Sequence, residues 1–282
     1  GMVAVNIMVA QSDYAGLVDA AIEGGADAIV SGAGLPKELP KFVKEARENG
    51  SEILIAPVVS GGRATSVICR LWEKQNTYPD FVVLECSRAG GHLGFSAEEI
   101  EKYDGVDDTL ALIGEVKEAL KPFEEKAGRP IPLVFAGGLR SAEDVKKAIA
   151  GGADGVQVST EFAVSVEGDA TDAYKEILLG ATSDDLSIIK SPVGMPGRAL
   201  YTPLIRRVEA GEKCFPPDFK CRKCLKACKS TDAPYCISDA LIAAWNGDYE
   251  NGLFFSGDEI GQITEQQSAA QIIEKLTGFS ID

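Results

Sequence analysis

The sequence has little histidine, little positive charge and no long apolar run. His92 is the single histidine among 282 residues, and 28 Lys and Arg stand against 43 Asp and Glu, which gives a formal net charge of −15. This excess of negative charge makes nucleic acid and anionic lipid poor partners. No apolar stretch reaches the ~18 residues that a membrane helix needs. We therefore expect no nucleic-acid partner and no membrane contact.

The seven cysteines are an odd number, and five of them fall between Cys214 and Cys236. Such a set is more typical of reduced thiols or a metal site in the cytoplasm than of a secreted disulfide framework. The Cys-x2-Cys spacing suits a metal, and interleaved Lys and Arg would stabilise thiolates. The sequence has no second Cys-x2-Cys pair and no histidine near the cysteines to support a metal site, so free thiols remain the alternative. The predicted ligands of structural zinc or an iron–sulfur cluster are Cys214, Cys221, Cys224 and Cys228.

Apolar runs alternate with amphipathic stretches through the first 160 residues. Runs at 3–9, 27–30, 52–59, 81–84, 131–136 and 155–158 predict strands, and stretches at 12–22, 37–48, 64–74, 109–126 and 141–150 predict helices. Nearly continuous apolar strands separated by helices indicate an α/β fold with a parallel sheet and helices outside it. Ser12 and Ser141 are predicted N-caps.

After residue 160 the pattern becomes less regular. It predicts helices at 170–179, 238–245 and 264–276, and a strand-like then turn-rich segment at 187–198. We therefore divide the chain into a βα unit at 1–179, a cap domain at 180–250 and a return to the first unit at 251–282.

The segment from Glu85 to Gly94 follows a buried strand and contains His92 among three glycines. Loops at the carboxyl ends of parallel strands carry the chemistry of α/β folds, and histidine can exchange a proton near neutral pH. His92 is therefore the candidate catalytic residue. The alternative is a surface loop that happens to contain a histidine. Cys86, six residues earlier, is expected to pack rather than react.

Two glycine- and hydroxyl-bearing turns follow the fifth and sixth predicted strands. Gly137 and Gly138 end one strand, and Gln157, Ser159 and Thr160 end the next. Backbone N–H groups of such loops bind phosphate, and the hydroxyls can donate. Tight turns without a ligand are the alternative. Asn6, in the first strand, needs either a ligand or an ordinary backbone bond as its partner.

Several motifs together resemble the nitronate monooxygenase family, formerly 2-nitropropane dioxygenase, and the related flavin-dependent enoyl-ACP reductase II. They are residues 5–8 (VNIM), 31–36 (SGAGLP), 89–92 (AGGH), 136–138 (AGG) and 193–198 (VGMPGR). The resemblance implies a TIM-type (β/α)8 barrel that binds FMN, with an inserted cap domain. In the family the strand at residues 5–8 is the third, so the chain is expected to lack the first two βα units. An open sheet edge invites pairing, and a homodimer that completes it is expected.

The resemblance also implies a role for each matching residue. Asn6 and Glu85 would meet the flavin ring, Ala89, Gly90 and Gly91 would line the ring and the substrate, and Gly137, Gly138, Ser159 and Thr160 would hold the phosphate. Ala136 and Gln157 complete the expected cofactor site, and His92 would be the catalytic base.

Three functions remain open from the sequence. The first is oxidation of small-molecule alkyl nitronates or nitroalkanes with O2. The second is a flavin enoyl-thioester reductase that uses NAD(P)H, with an acyl-carrier or nucleotide phosphate contacting basic residues of the cap, namely Arg206, Arg207, Lys220, Arg222 and Lys223. The third is a shortened paralogue that binds a metal or a phosphate ligand without flavin chemistry.

Overall fold

The computed structural model describes residues 1–103, 105–229 and 232–280. The strands are β1 (Ala4–Met8), β2 (Ala28–Gly32), β3 (Leu54–Val59), β4 (Val82–Glu85), β5 (Gly91–His92), β6 (Leu133–Ala136), β7 (Gly155–Gln157), β8 (Leu186–Lys190) and β9 (Pro196–Leu200). The helices are α1 (Tyr14–Glu23), α2 (Leu39–Glu48), α3 (Gly62–Glu73), α4 (Ala97–Lys102), α5 (Val106–Ala127), α6 (Ala142–Ala150), α7 (Thr160–Ala163), α8 (Asp172–Leu179), α9 (Pro203–Glu209), α10 (Ile237–Trp245) and α11 (Ala269–Thr277).

Within these residues a six-stranded sheet has the order β1-β2-β3-β4-β6-β7, and every pair is parallel. Successive neighbours follow the chain, because a helix returns it to the start of the next strand. The α/β class, the six parallel strands and the half-barrel that they form are confirmed. The relation of this sheet to an eight-stranded barrel without its first two βα units, the inserted cap domain, the domain boundaries and the homodimer stay predictions.

Alternating side chains of the strands point to opposite faces of the sheet, and each face has its own apolar cluster. Ile29 and Ile55 belong to the large core between the sheet and its helices, where Trp72 is fully buried. Their chain neighbours Val30 and Ala56 join Val83 and Ala136 in a small cluster on the other face. The inner strands β2, β3, β4 and β6 are apolar almost throughout because both of their faces are covered, whereas β1 at the edge of the sheet is largely exposed.

The β8–β9 hairpin lies outside this sheet. The segment predicted as strand-like forms two antiparallel strands, and β9 also pairs with the short strand β5, where His92 is opposite Gly197. Gly194 turns the chain between β8 and β9 with a φ of +86°, a value that glycine adopts without steric cost. The hairpin therefore fixes the loop that holds His92.

Several predicted helix ends differ from the structure. Helix α6 begins as predicted, with Ser141 Oγ accepting from Asp144 N. Helix α1 has Asp13 rather than Ser12 at its N-cap, because the Ser12 hydroxyl donates to Lys223 O. The last helix starts five residues later than predicted, where Ser268 and Gln271 form a capping box.

Among the described residues no helix is both long and apolar enough to span a membrane.

Candidate functional site

The residues expected to bind a cofactor all line one cavity at the carboxyl edge of the parallel sheet. Its volume is about 330 Å³. Its walls include Asn6, Glu85, Ala89, Gly90, Gly91, Ala136, Gly137, Gly138, Gln157, Ser159 and Thr160. These residues are far apart in sequence but close in space, because β1, β4, β6 and β7 end at the same edge. We call this space the cofactor cavity.

Two glycines of this cavity, Gly90 and Gly137, are required by close packing. Gly137 has a φ of +104°, and a Cβ there would lie 2.7 Å from Cys86 Sγ and 2.9 Å from Ala89 N. A Cβ at Gly90 would overlap the backbone of Ser256 and Gly257. Neither position has room for a side chain, so the fold of this wall needs glycine at both.

A second cavity of about 400 Å³ adjoins the first and contains His92. Asn6, Glu85 and Gly90 line both cavities. The end of β2 with the turn after it, residues 32–35, and the end of β3 with the next residue, 58–60, also line it. Asn6 is exposed toward these spaces rather than buried within the sheet, so its amide is available to a ligand. We call this space the histidine cavity.

His92 is held by contacts that the sequence did not reveal. Its Nε2 lies 2.7 Å from the hydroxyl of Ser191, 99 residues away in the chain. Its ring packs edge-on against Phe255, with ring centroids 5.0 Å apart. Ser191 also accepts from Val193 N. Such an arrangement fixes the imidazole orientation, as a positioned proton acceptor requires.

The two titratable groups of the histidine cavity are shifted in opposite directions by the same cause. Burial lowers the pKa of His92, so the neutral imidazole predominates at pH 7. Burial raises the pKa of Glu85 to about 7, so a large share of this carboxyl carries a proton at that pH. A neutral base beside a protonated acid is the pattern found in sites that move protons.

Four residues of the cofactor cavity were missed because they come from the C-terminal segment and from α8, namely Tyr174, Phe255, Ser256 and Glu259. Leu139 and Ala163, which lie just beyond the predicted strand ends, were not named either. The predicted return of residues 251–282 to the first unit pointed to this region without naming side chains.

The thiol of Cys86 is fully buried, and its pKa is raised to about 12 by burial, which agrees with packing rather than reactivity.

The predicted cysteine ligands are not assembled as a metal site. Cys221, Cys224 and Cys228 line one cavity, but there Cys236 accompanies them and Cys214 does not. Cys214 instead lies on a bridge beside Tyr235. Across residues 1–103, 105–229 and 232–280, no three or more His, Cys, Asp or Glu side chains are grouped so that they could hold a metal ion. The structure does not bring Cys214, Cys221, Cys224 and Cys228 together as one set, and their role as metal ligands stays a prediction.

The nitronate monooxygenase family model matches residues 2–278. The chain belongs to the nitronate monooxygenase family. A probable nitronate monooxygenase of Staphylococcus saprophyticus is 24% identical over 71% of this chain and 51% of its own length. One of Bacillus subtilis is 26% identical over 70% and 50%. The chain thus spans about half the length of the curated relatives that it matches.

Two solved structures superimpose on this family member over nearly its whole length. FabK from Thermotoga maritima has a TM-score of 0.72 and 26% identity, and the match covers 98% of this chain and 74% of that one. Nitroalkane oxidase from Streptomyces ansochromogenes has a TM-score of 0.68 and 18% identity, with 98% and 79% covered. The second likeness concerns the fold alone.

Proposed function

We propose that this chain is an FMN-dependent oxidoreductase that oxidises alkyl nitronates or nitroalkanes with O2. The observation that supports this most is the adjacency of the two cavities. All the residues expected to hold the cofactor line one of them, and the expected base, His92, lines the other. Family membership supports the oxidoreductase class. The two adjoining cavities would hold the cofactor and the substrate next to each other.

The chemistry of the cofactor cavity suits FMN. Small and apolar side chains, among them Ala89, Ala136 and Leu139, offer a surface for a planar ring. Positive φ angles at Gly137 and Gly138 leave backbone open to a phosphate, and hydroxyls of Ser159 and Thr160 add donors. The cavity has the size typical of ligand sites. These residues would hold FMN, which when bound supplies the electron transfer and O2 chemistry.

His92 would act on the substrate proton. As a neutral imidazole it can accept the proton α to a nitro group at an unprotonated ring nitrogen, or orient a nitronate that is already deprotonated. Ser191 holds the ring in place. The partly protonated Glu85 can donate a hydrogen bond to a ligand in the same space.

The test is to replace His92 by Asn and to compare two substrates. We expect His92→Asn to keep FMN and to lose about 10²–10⁴-fold in turnover of neutral nitroalkanes, because a positioned base contributes that much. Oxidation of preformed nitronates, measured as O2 consumption, should fall far less because no proton has to be removed. Unchanged turnover of neutral nitroalkanes would remove His92 from this role.

The enoyl-thioester reductase is the second candidate, favoured by the structural likeness to FabK. Two of its five predicted basic contacts are engaged within the protein. Arg207 donates to Glu250 O and Asn251, and Arg222 pairs with Asp239, which leaves less positive charge for an acyl carrier. Rapid reduction of bound flavin by NAD(P)H without oxygen would favour this candidate. A protein that stays colourless after FMN is added would favour the non-catalytic paralogue.

A further inference from the structure

Glu259 is an acidic side chain in the wall of the cofactor cavity, at the end expected to hold phosphate. It is 7% exposed, and its Oε2 has no hydrogen-bond partner within the described residues. The carboxylate folds beneath Gly257, where a Cβ would overlap both of its oxygens. Thr160 Oγ1 accepts from Gly257 N at 3.3 Å, which places the same loop against the hydroxyl end of the cavity.

A carboxylate at this position conflicts with a bound phosphate unless it carries a proton. Two like charges in a space with little water disfavour each other, and each raises the pKa of the other. In the protein alone, burial already raises the pKa of Glu259 to about 7, and Asp258 adds to the rise. A phosphate would increase this effect, because it adds negative charge close by.

The surrounding charges do not neutralise Glu259. Arg88 lies behind Gly138, but its guanidinium pairs with Asp258. On α7, Glu161 is paired with Lys275 of α11. The remaining titratable groups that face the cavity are Glu85, whose pKa is also raised by burial, and Tyr174 of α8, which stays a neutral phenol because burial raises its pKa.

We propose that Glu259 makes the phosphate end of this cavity bind a phosphorylated flavin together with one proton. In the protonated form the carboxyl donates to a phosphate oxygen, and in the ionised form it repels the phosphate. This inference rests on the proposed FMN site and adds to it. It makes Glu259 a determinant of choice between FMN and riboflavin, with FMN favoured at low pH and the preference weakening as pH rises.

The test measures the dissociation constants of FMN and riboflavin by quenching of flavin fluorescence, from pH 6 to pH 8. If only protonated Glu259 accepts phosphate, linkage makes the FMN constant rise about tenfold over this range. Glu259→Gln is isosteric and cannot ionise, so it should remove that rise, and FMN at pH 8 should bind about tenfold more tightly than to the wild type. The ionisation of FMN itself is common to both proteins and cancels in their ratio.

Riboflavin and a surface variant provide the controls. Riboflavin lacks the phosphate, so its affinity should not depend on residue 259, and its binding shows that the variant site is folded. Glu176→Gln removes the same charge from the exposed side of α8 and should keep the wild-type pH dependence. Equal FMN profiles for wild type and Glu259→Gln would overturn the inference and leave the FMN site standing. If neither flavin bound at any pH, the proposed function would fall, and the inference with it.

Discussion

At the scale of single residues, the proton chemistry proposed for His92 depends on Ser191. The serine is 3% exposed and belongs to the turn of the β8–β9 hairpin, while His92 follows β4. A neutral hydrogen bond of this kind is worth about 0.5–1.5 kcal/mol. Its function would be to hold the ring rather than to set its charge, because burial alone accounts for the lowered pKa of His92.

Ser191→Ala should therefore lower kcat on neutral nitroalkanes by up to about tenfold without moving the pH profile. Turnover needs the neutral imidazole, so it should rise with pH through the His92 pKa, with the midpoint below 6.5 in both proteins. Steady-state rates across this pH range check both points. Ser187→Ala, on the same hairpin, is the control. A midpoint that moves in Ser191→Ala would show that the serine tunes the pKa instead.

The sequence predicted the residues at strand ends but not their partners. Ala136 to Gly138 and Gln157 to Thr160 were found because a parallel sheet brings its carboxyl ends together whatever the loops do. Ser191 and Phe255 were not found as contacts of His92, because they depend on how the hairpin and the C-terminal segment fold over the sheet. Those contacts join residues about 100 or more positions apart, and no local periodicity specifies them.

At the scale of elements, the turn after β6 requires glycine at residue 137 for two separate reasons. Gly137 has a positive φ, and Cys86 Sγ and Ala89 N occupy the space where a Cβ would lie. Gly128, which ends α5, also has a positive φ, of +66°, but nothing lies within 4 Å of its Cβ position. A comparison of Gly137 with Gly128 therefore separates the cost of a positive φ from the cost of steric overlap.

Gly137→Ala should destabilise the protein by about 2–3 kcal/mol and weaken FMN binding, because the turn must shift to admit the methyl group. Gly128→Ala should cost about 1 kcal/mol, the price of its φ alone, and leave the FMN dissociation constant unchanged. Urea unfolding and flavin titration measure the two effects. Equal losses of stability in both variants would mean that the turn relaxes freely.

The elements themselves were predictable where they are long and apolar. All six strands of the parallel sheet follow from apolar runs, and α6 follows from Ser141. The helices α4 and α9 were missed because each is only six or seven residues long and lacks a full amphipathic repeat. The capping box of α4, Ser96 with Glu99, was a local signal that could have found it.

At the scale of the whole molecule, the cysteine-rich segment is tied to the loop between β1 and α1. Ser12 N donates to Cys224 O at 3.0 Å, and Lys226 N donates to Ala10 O at 2.9 Å. Lys226 Nζ adds a bond of 3.0 Å to Val9 O and lies over the ring of Tyr14. Tyr14 in turn bonds Ser31, next to the glycine turn that lines the histidine cavity.

Lys226→Ala should loosen this loop without unfolding the sheet. Its ammonium group is exposed to solvent, so we expect a loss of about 1 kcal/mol in the local opening free energy of residues 9–12, or about fivefold faster amide exchange. Hydrogen exchange read by mass spectrometry measures this, with Lys220→Ala of the same segment as the control. Amides of α11, on the far side of the fold, should keep their rates. Faster exchange everywhere would indicate global destabilisation, whereas unchanged rates at 9–12 would show that the backbone bonds of the cysteine-rich segment hold the loop without the lysine.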